Sequence, residues 1–184
     1  MSTNSGEGHL KVGERFPNFE LPDHTGELHK LSSLLRGFPG VLIFSRGHYC
    51  PKDRRQLTNY VAQLQPEFRV NYCKMITVSV DDPLATNEVR NALGADWPFL
   101  VDSGRTLIRE LEMVDITDPI HGEVYIPYTF VLDRDRTIYK IYNGWWYLGR
   151  PTVEEIRMDL RMVMSRRSDW VYSSKSDLPA TDGQ

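Results

Sequence analysis

The side chains best able to do covalent chemistry sit in one short run, Arg46-Gly47-His48-Tyr49-Cys50-Pro51-Lys52-Asp53-Arg54-Arg55. A cysteine thiolate is the nucleophile that attacks peroxides and disulfides, so Cys50 is the residue to test first. An apolar stretch, residues 41–45, follows Pro39-Gly40 and reads as a buried strand. Leu57, Tyr60, Val61 and Leu64 then recur at i, i+3, i+4 and i+7, which predicts a helix over 51–68. This places Cys50 at the N-cap or first turn of that helix. The free N–H groups and positive dipole end there favour a thiolate. Arg46, His48, Lys52, Arg54 and Arg55 add positive charge to the same region. The competing reading, a small buried hydrophobe beside a turn, fits these polar surroundings less well.

The remaining candidates carry two readings each. His48 is either a donor to the thiolate or substrate, or a surface residue of the turn. Asp53, on the helix's first turn, is a proton acceptor or water-positioning group, or simply a carboxylate that complements the helix dipole. As a negative charge, it would also disfavour the thiolate. At least one of Arg54 and Arg55 belongs to the solvated face of the helix. Cys73 opens an apolar strand, so core packing is preferred over a resolving thiol. Trp145-Trp146-Tyr147 reads as sheet packing rather than a binding platform. His9, His24, His29 and His121 are scattered, without metal-ligand spacing. No metal or other cofactor is therefore expected.

The elements that position this run are those of an α/β chain. Strands are predicted at 41–45, 75–80 and 99–101, with helices at 31–35, 51–68, 87–93 and 106–113. Two further strands, 128–132 and 137–142, flank Asp133-Arg134-Asp135-Arg136 as a hairpin. A last helix covers 151–164, with Pro151 suited to its first turn. Residues 12–23 read as extended coil. Alternating strands and helices imply parallel pairing, to which the hairpin adds antiparallel strands. The result is a mixed central β-sheet flanked by helices on both faces.

Composition bounds the function. At 184 residues the chain is expected to form one domain, 9–170, with loose tails at 1–8 and 173–184. With 40% hydrophobic residues it is neither disordered nor membranous. Two cysteines are too few for a disulfide scaffold. A net charge of −3 argues against a nucleic-acid partner. Met1–Gly8 lacks the basic start and apolar stretch of a secretory signal, so a cytoplasmic protein is expected.

Six motifs in order then carry a resemblance. Val12-Gly13-Glu14-Arg15-Phe16-Pro17-Asn18-Phe19 is similar to a "G-x-x-x-P-x-F" opening, and Arg46-Gly47-His48-Tyr49-Cys50-Pro51 to an "R-G-x-W-C-P" turn. Val78-Ser79-Val80-Asp81 resembles "I-S-V-D", and Pro98-Phe99-Leu100-Val101-Asp102 resembles "P-x-L-x-D". Pro127-Tyr128-Thr129-Phe130-Val131-Leu132-Asp133 is similar to "P-x-T-F-V-I-D", and Gly149 through Arg157 to "G-R-S-x-x-E-x-x-R". From about Val12 to Arg167 the chain resembles peroxiredoxin-like redoxins of the alkyl hydroperoxide reductase/thiol-specific antioxidant family.

That resemblance implies a thioredoxin-like fold with Cys50 as reactive thiol, and Pro127 as a cis-proline facing it, where backbone groups would receive an extended thiol partner. It implies a thiol oxidoreductase acting on a peroxide or disulfide, with the oxidised cysteine resolved by an external thiol of glutathione or thioredoxin type. A homodimer is among the assemblies it allows. The departures are specific. Asp53 stands where C-x-x-C members carry their second cysteine, so no local disulfide can form. Ile43 and Gly47 occupy the Pro and Thr positions of "P-x-x-x-T-x-x-C", and Ser45 offers the nearest hydroxyl. Pro127 holds the position of the peroxide-polarising arginine, leaving Arg46 or Arg150 as substitutes. These departures argue against fast peroxide reduction. A monothiol thiol-transferase and a catalytically weakened redoxin acting as a binding module are the alternatives.

Overall fold

The structure is a computed structural model and describes residues 9–70, 72–144 and 149–166. The expected tails and Trp145-Trp146-Tyr147 lie outside the described residues. In chain order the elements are β1 (Glu20–Pro22), β2 (Leu28–Lys30), α1 (Leu31–Leu35), β3 (Gly40–Phe44), α2 (Pro51–Gln63), α3 (Gln65–Val70) and β4 (Lys74–Ser79). They continue as α4 (Pro83–Leu93), β5 (Phe99–Val101), α5 (Thr106–Glu110), β6 (Val114–Asp115), β7 (Val124–Tyr125), β8 (Tyr128–Leu132), β9 (Ile138–Asn143) and α6 (Val153–Ser165).

Five strands form the central sheet in the order β5-β4-β3-β8-β9. β3 pairs parallel with β4, and β4 with β5. β8 runs antiparallel to both β3 and β9. The sheet is mixed because helices cross over between β3, β4 and β5, whereas a tight turn joins β8 to β9.

Side-chain alternation along β3 explains the layers. Leu42 and Phe44 face one core with Phe16, Val78, Leu100, Tyr125 and Phe130, covered by Leu31 and Leu35 of α1 and Leu107 and Ile108 of α5. Val41 and Ile43 face a second core with Leu57 and Tyr60 of α2, and Ile156 and Leu160 of α6. Helices therefore cover both faces, as expected. β3 is buried along its whole length, which is why its sequence is apolar without a period of two.

Local signals set several boundaries. Asp82 caps α4 by accepting from the Ala85 N–H, and Gly94 ends it in the left-handed conformation at φ 71°. Thr152 and Glu155 form a reciprocal capping box at the start of α6. Apart from shifted helix ends, with α4 starting at Pro83 and α5 ending at Glu110, the structure departs from the sequence reading at three places. The helix expected over 51–68 is two helices, divided at Leu64. Residues 20–22 are not coil but pair with β2 in a small hairpin. Residues 114–125, which lie between the predicted helix 106–113 and the hairpin and carry no predicted element, begin and end in the β6–β7 pair.

Candidate active site

β3 delivers the chain to Ser45, and α2 carries it away from Pro51. The turn between them presents Cys50 as the N-cap of α2, with its own N–H bonded to the Gly47 carbonyl. Gly47 is required there. Its φ is +127°, and a Cβ at that position would lie 2.8 Å from Asp81 Oδ1. Asp81, just past β4, holds the turn from outside. Its Oδ2 accepts from the His48 N–H and its Oδ1 contacts His48 Nδ1, both at 2.8 Å. His48 is thus exposed and engaged with Asp81, which fits its reading as a turn residue.

The centre of the site is the Asp53–Arg150 pair. Arg150 Nε donates to Asp53 Oδ1 at 2.7 Å, with Nη2 at 2.5 Å from the same oxygen. Nη1 donates to the Gly144 carbonyl at 2.7 Å, and Nη2 lies 3.8 Å from Cys50 Sγ. Asp53 Oδ2 accepts from the Arg46 N–H at 2.7 Å and the Ser45 hydroxyl at 3.2 Å. Asp53 is buried, and four donors occupy the lone-pair directions of its carboxylate. This supports the pairing role of Asp53 over that of a proton acceptor. The Arg150 guanidinium is the cation in contact with the thiol.

Arg46 does not fill that role. Its side chain leaves the turn for the β6–β7 connection, with Nη1 2.9 Å from Asp115 Oδ2 and Nη2 3.5 Å from Asp118 Oδ2. His121 of the same segment stacks flat on Tyr49, with centroids 3.4 Å apart, and contacts Asp118 Oδ2 at 2.9 Å through Nδ1. Lys52, Arg54 and Arg55 lie on the exposed face of α2. The basic run in the sequence therefore disperses in space.

Two expectations need correction. Cys50 is only 6% exposed, and its thiol is pushed up, not down. Burial is the main cause and the Asp53 charge adds to it, while the Asp53 N–H, Arg150 and the Lys52 N–H pull the other way without prevailing. Pro127 sits at the expected end of the sheet, next to Tyr128, the partner of Phe44. The bond before it is trans, however, as are all described peptide bonds. Its carbonyl is also occupied, accepting from the Gly144 N–H at 2.6 Å, which removes the backbone docking edge expected there.

Cys73 immediately precedes β4, whose first residue pairs with Gly40, the first of β3. Cys50 lies beyond the other end of β3. Four residue steps along that strand already span about 13 Å, well past the roughly 7 Å Cα separation a disulfide tolerates. Sequence reasoning missed Asp115, Asp118 and His121 as neighbours of the turn. His121 stood out only as one of the scattered histidines, and nothing local to these three residues points at Arg46. Asp23, Glu27 and His29 also gather, with ligand atoms within 4.8 Å of one another. Asp23 is already engaged in closing the β1–β2 hairpin, through the N–H groups of Thr25 and Glu27 and contact with His29.

A mixed sheet sandwiched by helices, with a cysteine at the head of the helix after its central strand, defines a thioredoxin-like redoxin of the peroxiredoxin type. The model of the AhpC/TSA family matches residues 12–141, and the chain belongs to that family. A Mycobacterium tuberculosis protein provisionally named as a peroxiredoxin is 27% identical over 138 residues, covering 73% of this chain and 86% of the relative. Among solved structures, peroxidoxin BcpB from Mycobacterium tuberculosis superposes with a TM-score of 0.71 at 24% identity, covering 87% of this chain and 100% of that one. Reduced Prx3 from Vibrio vulnificus in complex with hydrogen peroxide gives 0.73 at 20% identity, covering 83% and 96%. The yeast mitochondrial 1-Cys peroxiredoxin gives 0.67 at 20%, covering 90% and 84%. No described helix is long and apolar enough to cross a membrane.

Proposed function

We propose that the protein is a one-cysteine thiol peroxidase. The Cys50 thiolate attacks the outer oxygen of a hydroperoxide, the O–O bond breaks, and Cys50 becomes a sulfenic acid while the leaving alkoxide or hydroxide takes up a proton. One external thiol condenses with the sulfenic acid, releasing water, and a second displaces the mixed disulfide to restore Cys50. An external thiol is required because Asp53 replaces a nearby resolving cysteine and Cys73 lies at the far end of the sheet. The observation that carries this reading is Arg150, held by Asp53 and Gly144 with Nη2 3.8 Å from Sγ. A fixed guanidinium there stabilises the thiolate and the negative charge that develops on the peroxide oxygens. Glutathione- and thioredoxin-type thiols are the reductants to test.

One observation favours a second reading, a redoxin with weakened catalysis that serves as a binding module: burial and Asp53 hold the Cys50 thiol up. Stopped-flow oxidation by hydrogen peroxide and by an organic hydroperoxide separates the two. The peroxidase reading expects oxidation faster than that of free cysteine at the same pH, abolished in Cys50→Ser and reversed by added thiol. A rate equal to free cysteine would overturn it and leave the second reading. The thiol-transferase alternative loses its main geometric support with the trans bond at Pro127.

A further inference from the structure

Beside the Cys50 turn lies a small cavity bounded by α2, α4 and the ends of β4 and β5. It offers a water molecule about 20 Å³ of room, above the roughly 10–15 Å³ that one water needs. Leu57, Val89 and Phe99 form its apolar wall. Its polar lining includes Ser45, Thr77, Ser79, Asp81 and Thr86. Four of these have partners. The Ser45 hydroxyl donates to Asp53, the Ser79 hydroxyl donates to Asp81, Asp81 holds His48, and Thr77 Oγ1 accepts from Trp97 Nε1.

Thr86 differs. It is 2% exposed, and its Oγ1 is buried without a hydrogen-bond partner. A threonine in a helix can bond back to the carbonyl one turn earlier, but here the Asp82 carbonyl takes only the Thr86 N–H. An unmade hydrogen bond at a buried hydroxyl carries the full desolvation penalty of that group, whereas a buried water with two to four polar partners removes it. The Thr77 hydroxyl keeps acceptor capacity beyond its bond from Trp97, and the Ser79 hydroxyl, which also accepts from the Asp81 N–H at 3.3 Å, keeps one lone pair; both line the same cavity from β4.

We infer that this cavity is a specific hydration site, in which one water accepts from or donates to Thr86 and bridges α4 to β4 beside the cysteine turn. The water is a structural ligand of the chain, in a cavity that Asp53 and His48 also border, and its presence can be tested without reference to the thiol chemistry proposed above. It joins the helix capped by Asp82 to the strand end from which Asp81 grips the turn.

Thr86→Val tests this, since valine keeps the shape and removes the hydroxyl. With the water present, Thr86→Val leaves it short of a partner, so the melting temperature falls by about 2–4 °C, while Thr86→Ser falls less. If the cavity is dry, valine removes an unsatisfied hydroxyl and the melting temperature holds or rises, which overturns the inference. A measurement on the unmodified protein stands apart from the variants. Nuclear Overhauser contacts between a long-lived water and the Thr86 side chain are expected. Their absence under conditions where other internal waters are detected would equally overturn the inference.

Discussion

Cys50 and Cys73 are equally hidden, each 6% exposed, at opposite ends of the central sheet. What differs is what the fold supplies to the sulfur. Cys73 belongs to an apolar cluster with Val41, Leu64, Met75 and Leu160, where a small apolar side chain serves packing. Cys50 meets a helix N-terminus, an arginine 3.8 Å away and a carboxylate that holds that arginine in place. Burial alone therefore does not separate a bystander from a candidate nucleophile. The separation comes from charge that the chain carries into the site from positions far away in sequence, at a desolvation cost the Cys50 thiol still registers.

The most forceful way to break the contrast is to remove its anchor. Asp53→Ala leaves the Arg150 guanidinium, 15% exposed, without its carboxylate and frees the Arg46 N–H. Urea denaturation should show a loss of about 3–5 kcal/mol. Next comes the cation itself. Arg150→Met should slow peroxide oxidation of Cys50 by about a hundredfold and raise the thiol pKa further, read from thiolate absorbance. Arg150→Lys should restore little of the rate, because a single ammonium cannot reproduce the fork onto Asp53 and Gly144.

The pH profile sharpens the comparison more gently. With the Cys50 pKa raised above its ordinary value, the thiolate is the minor form near neutrality. The oxidation rate should climb about tenfold per unit across the neutral range. A plateau there would mean that Arg150 and the helix terminus outweigh burial. The smallest effect belongs to the other end of the sheet: Cys73→Ala should destabilise by about 1 kcal/mol and leave the oxidation rate unchanged in the same stopped-flow assay.

Much of the fold was legible because its signals are local. β3 and β4 announce themselves as apolar runs, α2 by its helical stripe and its proline, and the β8–β9 hairpin by its charged turn. Cys50 at the head of α2 follows from those elements alone. The exposure of that cysteine was not legible, because polar neighbours in sequence do not guarantee water around the sulfur. The basic run misled in the same way. Arg46 is drawn off by Asp115 and Asp118, and Lys52, Arg54 and Arg55 lie on the exposed face of α2, while the cation that reaches the thiol is Arg150, 97 positions from Asp53. Arg150 was a candidate only through the family resemblance, as was the cis bond expected at Pro127, which is trans. The break at Leu64 and the short β1–β2 and β6–β7 pairs were missed because two- and three-residue strands and a one-residue helix interruption carry almost no periodic signal.

The close approach of Asp81 to Gly47 has a consequence for how this turn can vary. With φ at +127° and a carboxylate oxygen 2.8 Å from where a Cβ would sit, position 47 strains any side chain, whereas the exposed His48 beside it makes one of its two contacts to Asp81 through the main-chain N–H, which any residue but proline supplies. A saturation library across residues 46–50, sorted only for folded protein, should return glycine almost alone at 47 and many residue types at 48. The strictest demand in this stretch falls on the residue that has no functional group.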